Sequence, residues 1–269
     1  MRLDLYLSQA GFAKSREAAK NMIEAGQVTL DGKVITKPAF AVDESAAPTI
    51  EVADALAYVG RGGLKLEGAL EDFSIDPSGM TALDVGASTG GFTDCLLQKG
   101  ALKVFALDAG HDQLAPSLKG DFRVVSLEGQ NARNLSPELF DRTPMDLIVM
   151  DVSFISATYL IPLFPALLKE NGLAVVLIKP QFEAGKAALG KRGIVKDPAD
   201  HLAAVQKVIA CAGASGFSVL GVTASSILGG DGNREFFTCF KKEPTTRNLL
   251  TDALLRRVVY EHERRRFPC

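Results

Sequence analysis

The sequence is short of the residues that mark secreted, metal-binding and membrane proteins. Its 269 residues include no tryptophan and only four cysteines, which show no paired spacing. They are Cys95, Cys211, Cys239 and Cys269. Isolated cysteines are typical of reduced thiols inside cells and do not form a zinc-ligand pattern, so we expect no metal. No apolar stretch is long enough to cross a bilayer and residues 1–4 do not begin a signal peptide, so we expect a cytoplasmic protein without a membrane partner.

The chain also has little net charge. Its 30 Lys and Arg residues nearly balance 32 Asp and Glu residues, which leaves a net charge of −2. Binding to nucleic acid would therefore depend on local basic clusters and not on overall charge. The hydrophobic content of 47% is ordinary, and the length suits one large domain with a smaller one. We predict a first domain at residues 1–58, a linker at 59–63 and a second domain at 64–269.

Residues 1–58 have the pattern of a small α+β unit. Two apolar helical patterns come first, and Ser15 precedes the second where an N-cap belongs. Gly26 follows as a C-terminal glycine should, and Asp31–Gly32 then separates two short strands as a hairpin turn. This unit is too small to be an enzyme alone, so the chemistry should lie in the second domain.

Past the linker, apolar strands alternate with helical segments, which is typical of a doubly wound α/β sheet. The predicted strands are Thr81–Val85, Lys103–Asp108, Phe122–Leu127, Asp146–Asp151, Ala174–Lys179, Phe217–Ser226 and Phe236–Lys241. The predicted helices include Leu64–Phe73, Ala157–Glu170 and Ala199–Ala214, and Arg256–Arg266 has the alternating charges of a solvated helix. In such sheets ligands bind beyond the carboxyl ends of the strands.

The most informative strand end is a glycine turn that begins at Asp84. Glycine tolerates positive φ and lets the backbone approach a nucleoside cofactor closely. A dinucleotide fingerprint needs glycine where Ser88 stands, and a phosphate-binding P-loop needs lysine where Phe92 stands. The turn resembles that of S-adenosylmethionine (SAM) methyltransferases, although a strand-helix turn without ligand is the alternative. The candidate cofactor residues are Asp84, Gly86, Ser88, Gly90, Gly91, Phe92 and Asp108, the last placed to accept hydrogen bonds from ribose hydroxyls.

Two further strand ends carry charge. Asp151 and Lys179 each follow a strongly apolar run, so both side chains should project into the ligand crevice. A lysine at the end of a buried strand is costly unless it has a carboxylate partner or a task. We expect the two residues in one cleft, either as a structural salt bridge or as reacting groups.

Five segments carry a resemblance that extends over almost the whole chain. They are Arg61–Leu66, Asp84–Thr93, Asp151–Ile155, Lys179–Glu183 and Gly232–Phe236. In these segments the chain resembles FtsJ-type ribose methyltransferases fused to an RNA-binding module, the arrangement of the TlyA family. That family modifies cytidine 2′-hydroxyls of 23S rRNA, and in some members of 16S rRNA, and was formerly named hemolysin.

The resemblance implies a fold, a cofactor and a site. The fold is α/β, a Rossmann-like methyltransferase sheet with helices on both faces, preceded by a small α+β RNA-binding domain. The cofactor is SAM and the partner is ribosomal RNA. The Lys-Asp-Lys-Glu tetrad of FtsJ-type enzymes carries over to Lys65, Asp151, Lys179 and Glu235. Without the resemblance, Lys65 could equally be a linker phosphate contact and Glu235 a loop salt bridge.

The chemistry explains why such a tetrad is useful. A ribose hydroxyl is a poor nucleophile, so the enzyme must align it with the activated methyl group and accept its proton. A lysine can act as a base only when burial or a neighbouring cation lowers its pKa. We predict that Lys179 is the base, that Lys65 lies near it, and that Asp151 and Glu235 orient the two amines.

The N-terminal unit resembles the alpha-L RNA-binding motif of a ribosomal small-subunit protein and several pseudouridine synthases. The matching positions include Arg2–Asp4, Ser15–Arg16, Gly26, Gly32 and Lys37–Pro38. The predicted RNA contacts are Arg2, Lys14, Arg16, Lys20, Lys33, Lys37 and Arg61. A solvated charged face is the alternative, and a steep dependence of RNA affinity on salt would separate the two. A second basic cluster, within Lys186–Lys196, is equally compatible with a closing loop and with an exposed one.

Two other functions are open at this point. A membrane-active hemolysin or pore former is disfavoured, because the sequence has no transmembrane or strongly amphipathic lytic segment. A non-catalytic RNA-binding assembly factor is disfavoured by the intact tetrad. The leading hypothesis is an rRNA (cytidine-2′-O)-methyltransferase of undetermined oligomeric state.

Overall fold

The chain forms two compact units. The structure, a computed structural model, describes residues 1–13, 15–24, 26–43, 48–52, 57–190, 193–229, 232–243 and 248–262. The units are Met1–Arg61 and Gly62–Cys269, and each has its own apolar core.

The smaller unit combines two helices with a small antiparallel sheet. Its elements are α1 (Leu3–Gln9), α2 (Arg16–Glu24), β1 (Val28–Leu30), β2 (Lys33–Val34) and β3 (Ile50–Val52). The strands lie in the order β2-β1-β3, and Leu3, Leu7, Ile23 and Val28 are fully buried between helices and sheet.

The predicted local signals of the smaller unit are confirmed. The Ser15 Oγ accepts a hydrogen bond from the Ala18 backbone N at 3.1 Å, as an N-cap does. Asp31 and Gly32 both have positive φ, 51° and 74°, which is the conformation of a type I′ hairpin turn.

The larger unit is a twisted sheet flanked by helices, as predicted. Within its described residues, seven strands lie in the order β6-β5-β4-β7-β8-β10-β9. They are β4 (Thr81–Val85), β5 (Lys103–Asp108), β6 (Val124–Glu128), β7 (Met145–Met150), β8 (Leu168–Ile178), β9 (Phe217–Ala224) and β10 (Phe236–Lys242). The strands from β6 to β8 pair in parallel, whereas β10 is antiparallel to both of its neighbours.

Six α-helices are described from Arg61 onward. They are α3 (Arg61–Asp72), α4 (Gly91–Gln98), α5 (Pro116–Lys119), α6 (Pro180–Glu183), α7 (Pro198–Ala214) and α8 (Asp252–Arg256). Because β5 and β6 lie on one side of β4 and β7 and β8 lie on the other, the strand order reverses between β4 and β7. A crevice opens at such a switch point, beyond the carboxyl ends of the strands.

Three predictions about this unit are wrong in detail. The predicted helix Ala157–Glu170 is a pair of 3₁₀ turns, Ala157–Tyr159 and Ile161–Ala166, followed by the start of β8. Proline explains the difference, because Pro162 and Pro165 each remove a backbone donor that a longer α-helix would need.

The other two differences lie at element ends. Helix α3 begins at Arg61 and not at Leu64, so the Arg-Gly-Gly run forms its first turn. In the C-terminal segment, α8 continues into a π-helical turn, Arg257–Glu261, in which Val258 and Val259 are fully buried. The interpretation of a solvated helix is therefore wrong for this part, and residues 263–269 lie outside the described residues.

Candidate active site

The glycine turn after β4 lies against the end of β7. Gly86 has φ +87°, and a Cβ at this position would collide with the backbone carbonyl oxygen of Asp151. Gly90 has φ +98° and precedes α4, where a Cβ would collide with Leu118. Only glycine fits both constraints, which keeps the turn open and close to the neighbouring strand end.

Asp108 is tied to this turn by its carboxylate. Its Oδ2 accepts a hydrogen bond from the Ser88 backbone N at 2.8 Å, and its Oδ1 accepts one from Gly110 N at 2.7 Å. Each carboxylate oxygen can accept more than one hydrogen bond, so Asp108 retains acceptor capacity for a ligand. The bond also holds Ser88 in its left-handed conformation, φ 50°.

These residues border a cavity of about 560 Å³ at the carboxyl edge of the sheet. Its lining includes Gly86, Ser88, Asp108, Asn131, Asp151 and Phe154. A narrow glycine turn, an acid on the adjacent strand and a cavity of this size fit a nucleoside cofactor.

Asp84 lies beneath the turn and is fully buried. Its Oδ2 accepts a hydrogen bond from the Thr93 Oγ1 at 2.7 Å, whereas its buried Oδ1 has no hydrogen-bond partner among the described residues. Burial raises the pKa of Asp84 to about 7, an effect that the Thr93 hydroxyl opposes and the negative charge of Asp151 reinforces.

Some predicted cofactor residues do not line the cavity. Phe92 is buried and packs against Phe237, with ring centroids 6.1 Å apart, and Gly91 is buried in the first turn of α4. Asp84, Gly90, Gly91 and Phe92 are absent from the lining that the described residues form, whereas Gly86, Ser88 and Asp108 belong to it. The four residues outside the lining support the conformation of the turn without facing the cavity.

The predicted tetrad forms two ion pairs. Lys179 Nζ lies 2.6 Å from Asp151 Oδ1 and donates to the Ser153 Oγ at 2.8 Å. Lys65 Nζ donates to Glu235 Oε2 at 2.6 Å, and both of these side chains are buried.

Two adjoining cavities contain the tetrad, because Asp151 lines the cofactor cavity and the other three residues line its neighbour. Lys65, Lys179 and Glu235 line a space of about 320 Å³, and its Ser153 and Phe154 also line the cofactor cavity. The tetrad therefore lies next to the cavity that fits the cofactor.

Sheet topology explains how four distant residues meet. Asp151 and Lys179 directly follow the parallel strands β7 and β8, so they lie at the carboxyl edge. Glu235 directly precedes β10, and because β10 runs antiparallel its start lies at that same edge. Lys65 reaches the site from α3.

Two buried residues of the same motifs, Glu183 and Asn233, fix the positions of neighbouring segments by hydrogen bonds. Glu183 is buried and accepts hydrogen bonds from the Ser156 Oγ at 2.5 Å and the Ala157 N at 2.6 Å, which ties α6 to the segment after β7. Asn233 is buried and accepts from the Val195 N at 3.1 Å, which connects the segment bearing Glu235 to the loop before α7.

Sequence reasoning missed Phe154 as a candidate site residue. Its side chain is 92% exposed, its φ is 65°, and its ring centroid lies 5.3 Å from that of Phe182. Phenylalanine is usually buried, and Phe154 lies only a few residues beyond β7 next to the apolar Ile155, so the sequence offers no signal for its exposure. Its position at the border of both cavities makes it a candidate contact for a planar ligand.

The predicted RNA-binding residues lie in the smaller unit. Lys20, Lys33 and Lys37 are exposed, and Arg2 and Arg16 both bind the carboxylate of Asp4. Arg61 lies half-buried with its side chain beside Gly26. Lys14 and, in the second basic cluster, Lys191 and Arg192 lie outside the described residues.

A seven-stranded sheet with one antiparallel strand and a cofactor turn after β4 defines a Rossmann-like methyltransferase. Residues 58–242 match the FtsJ-like methyltransferase family, and residues 1–47 match the S4 domain, the predicted RNA-binding motif. The chain belongs to the TlyA family of FtsJ-like methyltransferases. The cofactor of this class is S-adenosylmethionine, as expected from the glycine turn.

Relatives are similar over nearly the full length. The 16S/23S rRNA (cytidine-2′-O)-methyltransferase TlyA of Mycobacterium tuberculosis is 43% identical over 253 residues, 94% of each chain. The 23S rRNA (cytidine-2′-O)-methyltransferase TlyA of Campylobacter jejuni is 35% identical over 261 residues, 90% of this chain and 100% of the relative. A solved structure named a hemolysin, from Streptococcus thermophilus, is 38% identical with a TM-score of 0.77 and covers 97% of this chain and 95% of that one.

Two further features of the described residues concern membranes and metals. No helix in the described ranges has both the length and the apolarity to cross a membrane. Among the same residues, no group of three or more His, Cys, Asp or Glu side chains is arranged to hold a metal ion.

Proposed function

We propose that this protein transfers the methyl group of SAM to a cytidine ribose 2′-hydroxyl of ribosomal RNA in the cytoplasm. The observation that carries the proposal is the placement of two Lys-carboxylate ion pairs at two adjoining cavities: Asp151 lines the cofactor cavity, and Lys179, Lys65 and Glu235 line its neighbour. The activities for which the M. tuberculosis and C. jejuni relatives are named supply the nucleotide and the class of RNA. The target is 23S rRNA, with 16S rRNA as a further candidate.

The cofactor-binding residues of this proposal are those that line the larger cavity. Asp108 accepts hydrogen bonds from the ribose hydroxyls of the cofactor. At Gly86 and Ser88 the backbone of the turn comes close to the cofactor. Asp84, Gly90, Gly91 and Phe92 act indirectly, by fixing the shape of the turn. When bound, SAM supplies a methyl group on a sulfonium, which departs as a neutral thioether after transfer.

Lys179 accepts the proton of the ribose hydroxyl as the new oxygen–carbon bond forms. Asp151 and Ser153 hold its Nζ in one position, which is what an in-line reaction needs from a base. Lys65 lines the same cavity as Lys179. Glu235 balances the charge of Lys65 and fixes its position.

Phe154 provides a surface for the target nucleotide. Its exposed ring packs against Phe182, lines the same cavity as Lys179 and borders the cofactor cavity. Stacking of one base on an aromatic ring contributes about 1–3 kcal/mol to RNA binding. A base stacked here would bring its own ribose next to the tetrad.

The smaller unit recruits the RNA. We propose residues 1–58 as the RNA-binding domain, 59–63 as the connection and 64–269 as the methyltransferase domain. Arg2, Arg16, Lys20, Lys33 and Lys37 contribute the phosphate contacts, and Lys14 and Arg61 are proposed on sequence alone.

Transfer of labelled methyl groups to isolated bacterial ribosomal subunits tests the function. The purified full-length protein and labelled SAM are incubated with each subunit, and the modified position is mapped. The expected product is one 2′-O-methylcytidine in the large subunit, with or without a second in the small subunit. RNA binding without transfer would favour an assembly factor, and leakage of liposomes by the protein without SAM would favour a membrane-active protein.

A further inference from the structure

Two arginines of the smaller unit share one buried carboxylate. Asp4, in the first turn of α1, is only 3% exposed. Its Oδ1 accepts from Arg2 Nε and from Leu5 N, both at 2.9 Å. Its Oδ2 accepts from Arg2 Nη2 at 2.9 Å and from Arg16 Nε at 3.0 Å. The two guanidinium groups hold the pKa of the Asp4 carboxyl well below its usual range.

The arginines themselves face solvent. The side chains of Arg2 and Arg16 are 50% and 56% exposed. Arg16 binds Asp4 through Nε, and its half-exposed guanidinium group has further N–H donors on the terminal nitrogens for a phosphate. The buried carboxylate of Asp4 can therefore fix the positions of the two exposed guanidinium groups.

We propose that Asp4 is a positioning residue, which holds Arg2 and Arg16 side by side as a fork that binds one stretch of RNA phosphates. This inference rests on the RNA-binding role proposed above for the smaller unit. Two adjacent guanidinium groups repel each other, and the carboxylate between them offsets that repulsion while leaving one net positive charge. Planar guanidinium groups held in fixed directions match the oxygens of phosphate.

The backbone around the fork adds a further basic residue. The Asp4 backbone N donates to the Pro38 carbonyl at 3.0 Å, and Leu3 N donates to the Phe40 carbonyl at 2.8 Å. The exposed Lys37 therefore lies on a segment that runs beside the start of α1. A phosphate backbone crossing the fork would continue past this segment.

The variant Asp4→Asn separates position from charge, because the two effects have opposite signs. Removing the negative charge makes the unit more basic, so charge alone predicts tighter RNA binding. An asparagine amide accepts at only one of its two ends, and the other end presents N–H donors to a guanidinium group. One arginine would lose its partner, the pair would repel, and the fork would open.

The chain offers a matched control. Glu24 is half-exposed and lies 3.8 Å from Lys20, one helical turn away on α2. Glu24→Gln makes the same change in charge on the same unit, but it removes only an exposed ion pair. Such pairs contribute little to structure, about 0–1 kcal/mol.

The experiment is a titration of the full-length protein with deproteinised bacterial rRNA at several salt concentrations. We expect Asp4→Asn to weaken binding about 5- to 10-fold, as loss of a charge-assisted contact does, and Glu24→Gln to leave it unchanged or tighten it. Arg2→Ala with Arg16→Ala should weaken binding and make the negative slope of log affinity against log salt shallower by about 1.4 to 1.8. Adding Asp4→Asn to that double variant should not weaken binding further, and the loss of the negative charge should if anything tighten it.

Each outcome decides between distinct possibilities. If Asp4→Asn binds as tightly as Glu24→Gln, Asp4 does not position the fork, although the unit still binds RNA. If Asp4→Asn still weakens binding in the double arginine variant, its role is structural. If the wild-type affinity does not depend on salt, the proposed RNA-binding role itself is wrong. Should Asp4→Asn fail to fold, Asp4→Glu keeps the charge but displaces both arginines, and wild-type binding by that variant would contradict the proposal.

Discussion

Charged side chains are paired in both units, but in opposite ways. In the larger unit, two lysines each face one carboxylate and are largely buried, Lys65 with Glu235 and Lys179 with Asp151. In the smaller unit, two half-exposed arginines share the single buried carboxylate of Asp4. Lysine can lose a proton and arginine does not, so the first arrangement suits chemistry and the second suits binding.

The largest expected effect is that of Lys179→Ala. Removing the proton acceptor should lower kcat for RNA methylation about 100- to 10,000-fold. The affinities for SAM and for rRNA should stay near the wild-type values, because Lys179 belongs to neither proposed binding surface. Single-turnover methylation and separate binding titrations measure these three quantities.

A matched control for this variant is Lys169→Ala. Lys169 forms an ion pair with Asp146 at 2.7 Å, but its side chain is 44% exposed and lies on β8 away from the cavity lining. Its kcat should be that of the wild type. Equal losses in the two variants would show that the effect on Lys179 is not specific to the site.

The second effect concerns the other buried pair. Glu235→Gln removes the anionic partner of Lys65 and should lower kcat about 10- to 100-fold and the melting temperature as well, because a buried ammonium loses its compensation. The exposed pair of Lys242 with Glu170 provides the comparison, since Glu170→Gln makes the same substitution at a side chain that is 65% exposed. Full activity in Glu235→Gln would remove Glu235 from the proposed tetrad.

The third effect is on cofactor binding. Gly86→Ala places a methyl group against the Asp151 carbonyl and forces alanine into φ +87°, so SAM affinity should fall by at least about 10-fold. Gly216 has φ +85° and open space where a Cβ would stand, so Gly216→Ala carries the same conformational cost without the collision. Calorimetry with SAM should find normal affinity in Gly216→Ala, and equal affinities in both variants would contradict the proposed cradle.

The smallest expected effect is on the pH dependence of folding stability, in which the buried aspartates of the two units differ. Arginines lower the pKa of Asp4, whereas burial without a cation raises that of Asp84 to about 7. Between about pH 4 and pH 7 the folded state therefore holds a proton on Asp84 that the unfolded chain releases, and stability falls as pH rises. The stability contributed by Asp4 is present at neutral pH and is lost only in strong acid.

Urea unfolding of the wild type and Asp84→Asn at pH 5 and pH 8 checks this sign. The asparagine side chain cannot ionise. The free energy of unfolding of the variant, relative to that of the wild type, should therefore increase from pH 5 to pH 8 by an amount on the order of 2–4 kcal/mol. Parallel pH profiles for the two proteins would mean that Asp84 does not titrate in this range.

Part of the candidate site of the larger unit could be predicted from the sequence, because the position of a strand end depends on local patterns. Asp151 and Lys179 follow apolar strands, and parallel strands bring their carboxyl ends to one edge, so their meeting was predictable. Glu235 was placed only by the family resemblance, because the antiparallel direction of β10 depends on tertiary pairing that no short pattern reveals.

Other features could not be read because they depend on packing. The apolar spacing of residues 157–170 is helical, but Pro162 and Pro165 divide it into 3₁₀ turns. Phe154 has the pattern of a core residue and is exposed. Asp4 has the pattern of a surface acid on a short helix and is buried under two arginines, which only the fold brings together.

The most direct test of the division between chemistry and binding is a side-by-side kinetic comparison. Lys179→Ala and the double variant Arg2→Ala with Arg16→Ala are assayed for methylation of isolated ribosomal subunits over a range of subunit concentrations. We predict that Lys179→Ala loses kcat with an unchanged affinity for the subunit, whereas the arginine variant has a raised KM and recovers wild-type kcat at saturation. A loss of the same parameter in both variants would contradict it.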